Sequence, residues 1–88
     1  MEKSKVYFIK EINAENLIKS IVALNTELKG NVAVKISTGE PGGHHFLSPS
    51  LIKPLVNKLN GTIVECCTAY KGRRFEPKEH LEVVKEHG

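Results

Sequence analysis

Short apolar runs alternate with amphipathic stretches along this chain, and this alternation constrains the fold more than any other feature. Residues 6–9 (VYFI) form a β-branched and aromatic run that is typical of a strand. Similar runs occupy residues 32–37 and 62–66, and apolar stripes at helical spacing follow all three. Three strand-helix pairs in succession predict parallel strands joined by right-handed crossovers.

The first predicted helix follows Asn13, whose side chain can cap the start of a helix. Gly30 is expected to end this helix, because glycine readily adopts the left-handed conformation found after helices. The side chains of the expected buried stripe recur every three or four residues at Leu17, Ile21, Leu24 and Leu28.

The second predicted helix has Ser48 as its N-cap and Pro49 in its first turn. Pro54 removes one backbone donor and is expected to bend the helix near its start. Residues 60–61 (Asn-Gly) are expected to stop the helix before the third strand. A third helix is predicted to begin at Pro77.

The pattern indicates the α/β class, as a βαβαβα unit of two or three layers with a small parallel sheet. Residues 32–37 are almost continuously apolar, which predicts a strand covered on both faces. Three strands leave two open edges, and no fourth strand follows the last helix. Residues 1–88 are therefore interpreted as a single α/β domain or as the amino-terminal fragment of a larger one.

Composition narrows the class of protein. The chain has 88 residues, a net charge of +3 and 40% hydrophobic residues, with no apolar stretch long enough to span a bilayer. The positive charge is weak and scattered, so nucleic acid is not an expected partner. Because no apolar stretch is long enough to span a bilayer, a membrane is not an expected partner either. Cys66 and Cys67 are adjacent, which is unlike a disulfide framework, and a cytoplasmic location is expected.

A glycine-rich loop at residues 39–45 (GEPGGHH) is the first place to expect a site. In a parallel sheet this loop and residues 67–74 emerge at the same edge, where open α/β folds bind ligands. The amino end of the following helix favours binding of an anion at this edge. The alternative interpretation is that the glycines only make tight turns and that Arg73 and Arg74 are solvated loop residues. The candidate ligand-binding residues are Thr38, Gly39, Glu40, Gly42, Gly43, His44, His45, Arg73 and Arg74.

The same edge also contains side chains of the types that bind metals. His44, His45, Cys66 and Cys67 together contain enough imidazoles and thiols to surround a zinc ion. Adjacent side chains at the end of a strand point to opposite faces, so we assign no metal site to the chain and expect at least one cysteine to be buried. Two cysteines are also too few for an iron-sulfur site with four thiolates.

Several motifs occur together along the chain. They are Val32-Ala33-Val34-Lys35, Gly39-Glu40-Pro41-Gly42, Leu47, Pro49, Leu51-Ile52-Lys53-Pro54-Leu55-Val56, Thr68-Ala69-Tyr70, His80-Leu81 and Glu86-His87-Gly88. Together these motifs resemble the amino-terminal part of the family called domain of unknown function 362, and the resemblance covers almost the whole chain from Val6 onward.

Members of that family are described as iron-sulfur centre proteins, and many carry ferredoxin-type cysteine clusters further along the chain. The resemblance implies that this segment contributes loops to a ligand or metal site completed elsewhere, and that a four-iron four-sulfur cluster belongs to a full-length protein. Two alternatives remain open: an anion-binding enzyme domain with His44 or His45 transferring protons, or a non-catalytic module that associates with its own chain or itself.

Overall fold

A computed structural model describes residues 2–88 of the chain and shows a small α/β unit. The fold class is therefore confirmed. In chain order the elements are α1 (Ala14–Ala23), β1 (Val32–Lys35), α2 (Pro49–Leu59), β2 (Gly61–Val64) and α3 (Pro77–Glu86).

The sheet contains two parallel strands, and β1 pairs with β2 from Val32 opposite Gly61 to Lys35 opposite Val64. The parallel direction is as predicted. Helix α2 connects the strands and packs against β2, and α1 packs against α2. The carboxyl ends of both strands consequently lie side by side at one edge of the sheet.

The predicted strand at residues 6–9 does not form. Residues 2–12 contain no helix or strand, and the side chains of Val6 and Phe8 are 90% and 86% exposed. A strand is stabilised by hydrogen bonds and packing from a neighbour, and a local β pattern supplies neither. The sheet within residues 2–88 therefore has two strands, and the prediction of three was wrong.

Helix α1 begins as predicted but ends early. The Asn13 side chain accepts a hydrogen bond of 2.8 Å from the backbone N–H of Asn16, as expected for a helix cap. The helix ends at Ala23 rather than before Gly30, because Asn25 has a left-handed backbone with φ of +49°. Leu28 consequently lies beyond the helix and is half exposed.

Strand β1 is covered on one face only, contrary to the prediction of two covered faces. Val32 and Val34 are partly buried, whereas Ala33 and Lys35 are exposed. The register places Ala33 and Lys35 beside Thr62 and Val64, which are also exposed. One face of a two-stranded sheet packs against α2 and the other faces water.

The prolines and the Asn-Gly pair in the sequence correctly predict where α2 begins and ends and where α3 begins. Helix α2 begins at Pro49 and contains Pro54, and Asn60 ends it with a left-handed φ of +49°. Ser48 occupies the N-cap position, but its hydroxyl contacts Ser50 Oγ at 2.8 Å instead of capping the backbone. Helix α3 begins at Pro77 as predicted, and β2 ends at Val64, two residues before the predicted end.

The fully apolar core is small. Ile52 of α2 and Val83 of α3 are the buried hydrophobic side chains in the described part of the chain, and Val83 is completely buried. Two polar side chains, those of Thr38 and His80, are buried as deeply as Ile52. None of the helices within residues 2–88 has the length and apolar character required to cross a membrane.

Candidate functional site

Thr38 lies at the centre of a polar cluster at the carboxyl edge of the strands. Its backbone N–H donates to Glu65 Oε2 at 2.8 Å, and its hydroxyl lies 3.1 Å from His80 Nε2. Its carbonyl oxygen is 2.7 Å from His87 Nδ1. All three polar groups of Thr38 therefore have partners, and these bonds join the chain after β1 to the chain after β2 and to α3.

The contact with Thr38 determines the protonation of one nitrogen of His87. A carbonyl oxygen can only accept a hydrogen bond, so His87 Nδ1 must carry a proton and donate it. The Phe46 ring stacks on the imidazole of His87, with ring centroids 3.9 Å apart and an angle of 3° between the planes. The hydrogen bond and the stacking together hold His87 against the two residues that flank the glycine-rich loop.

The glycine-rich loop makes tight turns, and one of its glycines is required by packing. Gly39 has a φ of +89°, and a Cβ atom there would lie 2.5 Å from the Cβ of Phe46. The Gly43 N–H donates to the carbonyl oxygen of Glu40 at 3.0 Å, which closes the turn between them. A side chain at Gly39 would push Phe46 away from His87.

Glu65 is a nearly buried carboxylate surrounded by donors. Its side chain is 11% exposed, and Lys35 Nζ lies 2.7 Å from Oε1. Oε1 also accepts from the Cys66 N–H at 3.0 Å, and Arg74 Nη2 is 3.7 Å from Oε2. Burial by itself would raise the pKa of Glu65, but the bonds from Lys35 and from the N–H groups of Thr38 and Cys66 outweigh it and lower the pKa to about 2.

Arg74 connects the two loops that the sequence places at this edge. Its Nη1 lies 2.8 Å from Oε1 of Glu40, which also accepts a hydrogen bond of 2.5 Å from the Tyr70 hydroxyl. The bond from Tyr70, assisted by Arg74, lowers the pKa of Glu40, and the same bond raises the pKa of Tyr70. Residues 38–45 and 67–74 therefore meet, as predicted.

The other candidate residues are placed differently. The Arg73 guanidinium forms a bidentate pair with the Glu86 carboxylate of α3, and this pairing lowers the pKa of Glu86. His44 and His45 are exposed, and no side-chain hydrogen bond within residues 2–88 holds either imidazole. Both arginines that were expected to meet an anion are thus paired with carboxylates, and the proton-transfer role of His44 and His45 stays a prediction.

Neither cysteine is buried, so that prediction was wrong. Cys66 and Cys67 are both free and exposed, because β2 ends at Val64 and leaves them in the following loop. No group of three or more histidine, cysteine, aspartate or glutamate side chains capable of holding a metal occurs in the part of the chain described. Two adjacent thiols do not fit the four-thiolate arrangement of an iron-sulfur cluster.

A cavity of about 330 Å³ lies between α2, the end of α3 and the residues that flank the glycine-rich loop, and we call it the Phe46 cavity. Its walls are mainly apolar, with Ile36, Phe46, Leu47, Ile52, Val56, Ile63 and Val84 among the lining residues. Four polar residues also line it: Thr38, Lys53, Asn57 and His87. Its volume lies at the lower end of the range of small-molecule sites.

A second cavity of about 250 Å³ lies on the other side of Thr38, between β2 and α3. Glu65, Cys67 and His80 contribute polar groups to its lining. The hydrogen bonds of Glu65 and His80 to Thr38 occupy part of their capacity. This cavity is smaller than the Phe46 cavity and less apolar.

Sequence reasoning missed most of the residues that organise this site. Neither the candidate ligand-binding residues nor the candidate metal ligands include Glu65, His80 or His87. The spacing of His80 and His87, seven residues apart on one face of a helix, was a usable signal. Nothing local indicates that both would contact Thr38.

Comparison with protein-family models, with curated proteins and with solved structures found no match. The resemblance to domain of unknown function 362 therefore stays a prediction from the sequence motifs.

Proposed function

We propose that this chain binds a small molecule with an apolar body and an anionic group in the Phe46 cavity. The observation that carries the proposal is a cavity of about 330 Å³ with mainly apolar walls and a lysine in its lining. Small-molecule sites typically combine apolar walls with a few polar groups that orient the ligand.

The hydrogen bonds of the lining residues indicate which polar groups are available to a ligand. The Thr38 carbonyl and His87 Nδ1 bond to each other and hold the cavity wall, whereas the buried Nε2 of His87 has no hydrogen-bond partner within residues 2–88. Lys53 and Asn57 lie four residues apart and share one face of α2. No ion pair within residues 2–88 engages the Lys53 ammonium, which is therefore available to an anion.

A series of straight-chain carboxylates tests the proposal. Calorimetric titration of the 88-residue chain with butanoate, hexanoate and octanoate should show affinity that rises with chain length. Each buried methylene contributes about 0.8 kcal/mol, which corresponds to roughly fourfold tighter binding. Absence of octanoate binding at millimolar concentration would refute the proposal.

A matched pair of lysine variants tests the position of the anionic group. Lys53→Gln should weaken octanoate binding about two- to fivefold, as expected for an exposed ion pair, and should leave 1-octanol binding unchanged. Lys58→Gln is the control, since Lys58 lies on the same helix but does not line the cavity. An equal effect of both variants on octanoate would show that the ligand does not meet Lys53.

The iron-sulfur function remains a separate proposal that rests on the sequence resemblance alone. Because Cys66 and Cys67 do not fit a cluster, this proposal requires ligands from outside residues 1–88. Iron and sulfide analysis of the 88-residue chain after anaerobic reconstitution should therefore find no stoichiometric cluster. Ligand binding in the Phe46 cavity does not depend on that outcome.

A further inference from the structure

The surface of the chain is larger than a compact fold of this size requires. Its accessible surface is 7340 Å², whereas a compact monomer of 9.8 kDa exposes about 5,200 Å². The radius of gyration is 15.5 Å, compared with about 12 Å for a compact chain of this length. The excess of roughly 2,000 Å² per chain is comparable to the total area that a stable protein interface buries.

Residues 2–12, which we call the amino-terminal segment, contribute much of this exposed apolar surface. Val6, Phe8 and Ile12 are at least 80% exposed, and Tyr7 is half exposed. Residues 6–9 have the β-branched and aromatic composition of a strand. The segment therefore has the side chains of a buried strand without a neighbour to cover them.

The sheet offers an unpaired edge to such a strand. The Ile36 N–H donates to the Val64 carbonyl oxygen at 3.3 Å, so the peptide groups of Ile36 point toward β2. Because these groups alternate in direction along a strand, those of Ala33 and Lys35 point toward the free edge of β1. An added strand would find donors and acceptors there.

We propose that two copies of this chain associate by exchange of the amino-terminal segment, with residues 6–9 of each copy added as a third strand at the free edge of β1 in the other. A second copy is the occupant because it supplies a β-prone strand and an edge in equal number, and because the excess area is sufficient for a stable interface. Main-chain hydrogen bonds at the edge supply affinity, and the side chains of Val6 and Phe8 leave water.

Sedimentation equilibrium of the 88-residue chain over a wide concentration range tests the exchange. The expected result is a reversible monomer-dimer equilibrium. Phe8→Asp should weaken dimerisation at least tenfold without changing the far-ultraviolet circular dichroism of the monomer. Leu28→Asp is the matched control, because Leu28 is also an exposed apolar residue but lies outside the segment.

A synthetic peptide of residues 3–11 provides a second measurement. This peptide should dissociate the dimer, and the same peptide with Phe8→Asp should do so at least tenfold less well. A strict monomer at all concentrations, a dimer insensitive to Phe8→Asp, or equal loss with Leu28→Asp would each overturn the proposal. These outcomes are independent of octanoate binding, so the dimer and the ligand site can fail separately.

Discussion

The amino-terminal segment and the cluster around Thr38 differ in burial, and in each region the burial is the opposite of what the residue types would suggest. The segment consists of β-prone apolar residues, yet Val6 and Phe8 lie almost entirely in water. Thr38 is polar, yet it is 8% exposed because Glu65, His80 and His87 bond to its three polar groups. Partners decide burial in this molecule, and residue type alone does not.

The largest expected effect comes from removing the centre of the charge network. Glu65→Ala should lower the free energy of unfolding by about 3 kcal/mol, because Arg74 and Lys35 lose a nearly buried counter-charge and the Thr38 N–H loses its acceptor. By contrast, Phe8→Ser should change the free energy of unfolding of the monomer by less than about 0.5 kcal/mol, since the Phe8 side chain is already exposed.

Urea unfolding at low protein concentration measures both variants. Thr62→Ala is a suitable control for Glu65→Ala, because Thr62 lies on β2, three residues before Glu65, and has an exposed side chain. Equal destabilisation by Glu65→Ala and Phe8→Ser would show that the two regions do not differ in their contribution to the stability of the monomer.

A smaller effect is expected from pH. The pKa of Glu65 is lowered to about 2 in the folded chain, below the ordinary value of 4.5. Its contribution to stability is therefore fully present above pH 4.5 and is lost as the pH falls toward 2. The loss should be about 1–2 kcal/mol once solvent screening is allowed for.

Urea midpoints of the wild-type chain and of Glu65→Gln across pH 2 to 7 check this expectation. The difference in unfolding free energy between the two proteins should shrink as the pH falls below 4.5. A constant difference across the whole range would show that Glu65 is not held as a carboxylate by its donors.

Local signals in the sequence predicted the elements that local interactions determine. Asn13, Pro49 and Pro77 mark helix starts correctly, because capping and the fixed φ of proline act within one helical turn. The predicted end of α1 at Gly30 was wrong, because Asn25 already adopts a left-handed conformation, which glycine adopts more readily than asparagine. Short-range rules thus gave all three helix starts and the end of α2 at Asn60, but not the end of α1.

Long-range contacts explain the remaining failures. The 6–9 run was predicted as a strand from its composition, but composition does not specify a neighbouring strand. Glu65 contacts Thr38 across 27 residues, and His87 contacts it across 49. The parallel topology was sufficient to predict the edge at which the two loops meet. The residues that form hydrogen bonds there could not be predicted, because they depend on packing between α3 and the loops.

Amide hydrogen exchange in the Phe8→Asp variant tests the central contrast most directly, because dimerisation is suppressed there. The Thr38 amide, bonded to Glu65, should exchange at least about 100-fold more slowly than the amides of residues 6–9, after correction for intrinsic rates. Equal protection of Thr38 and residues 6–9 would contradict the contrast between the two regions.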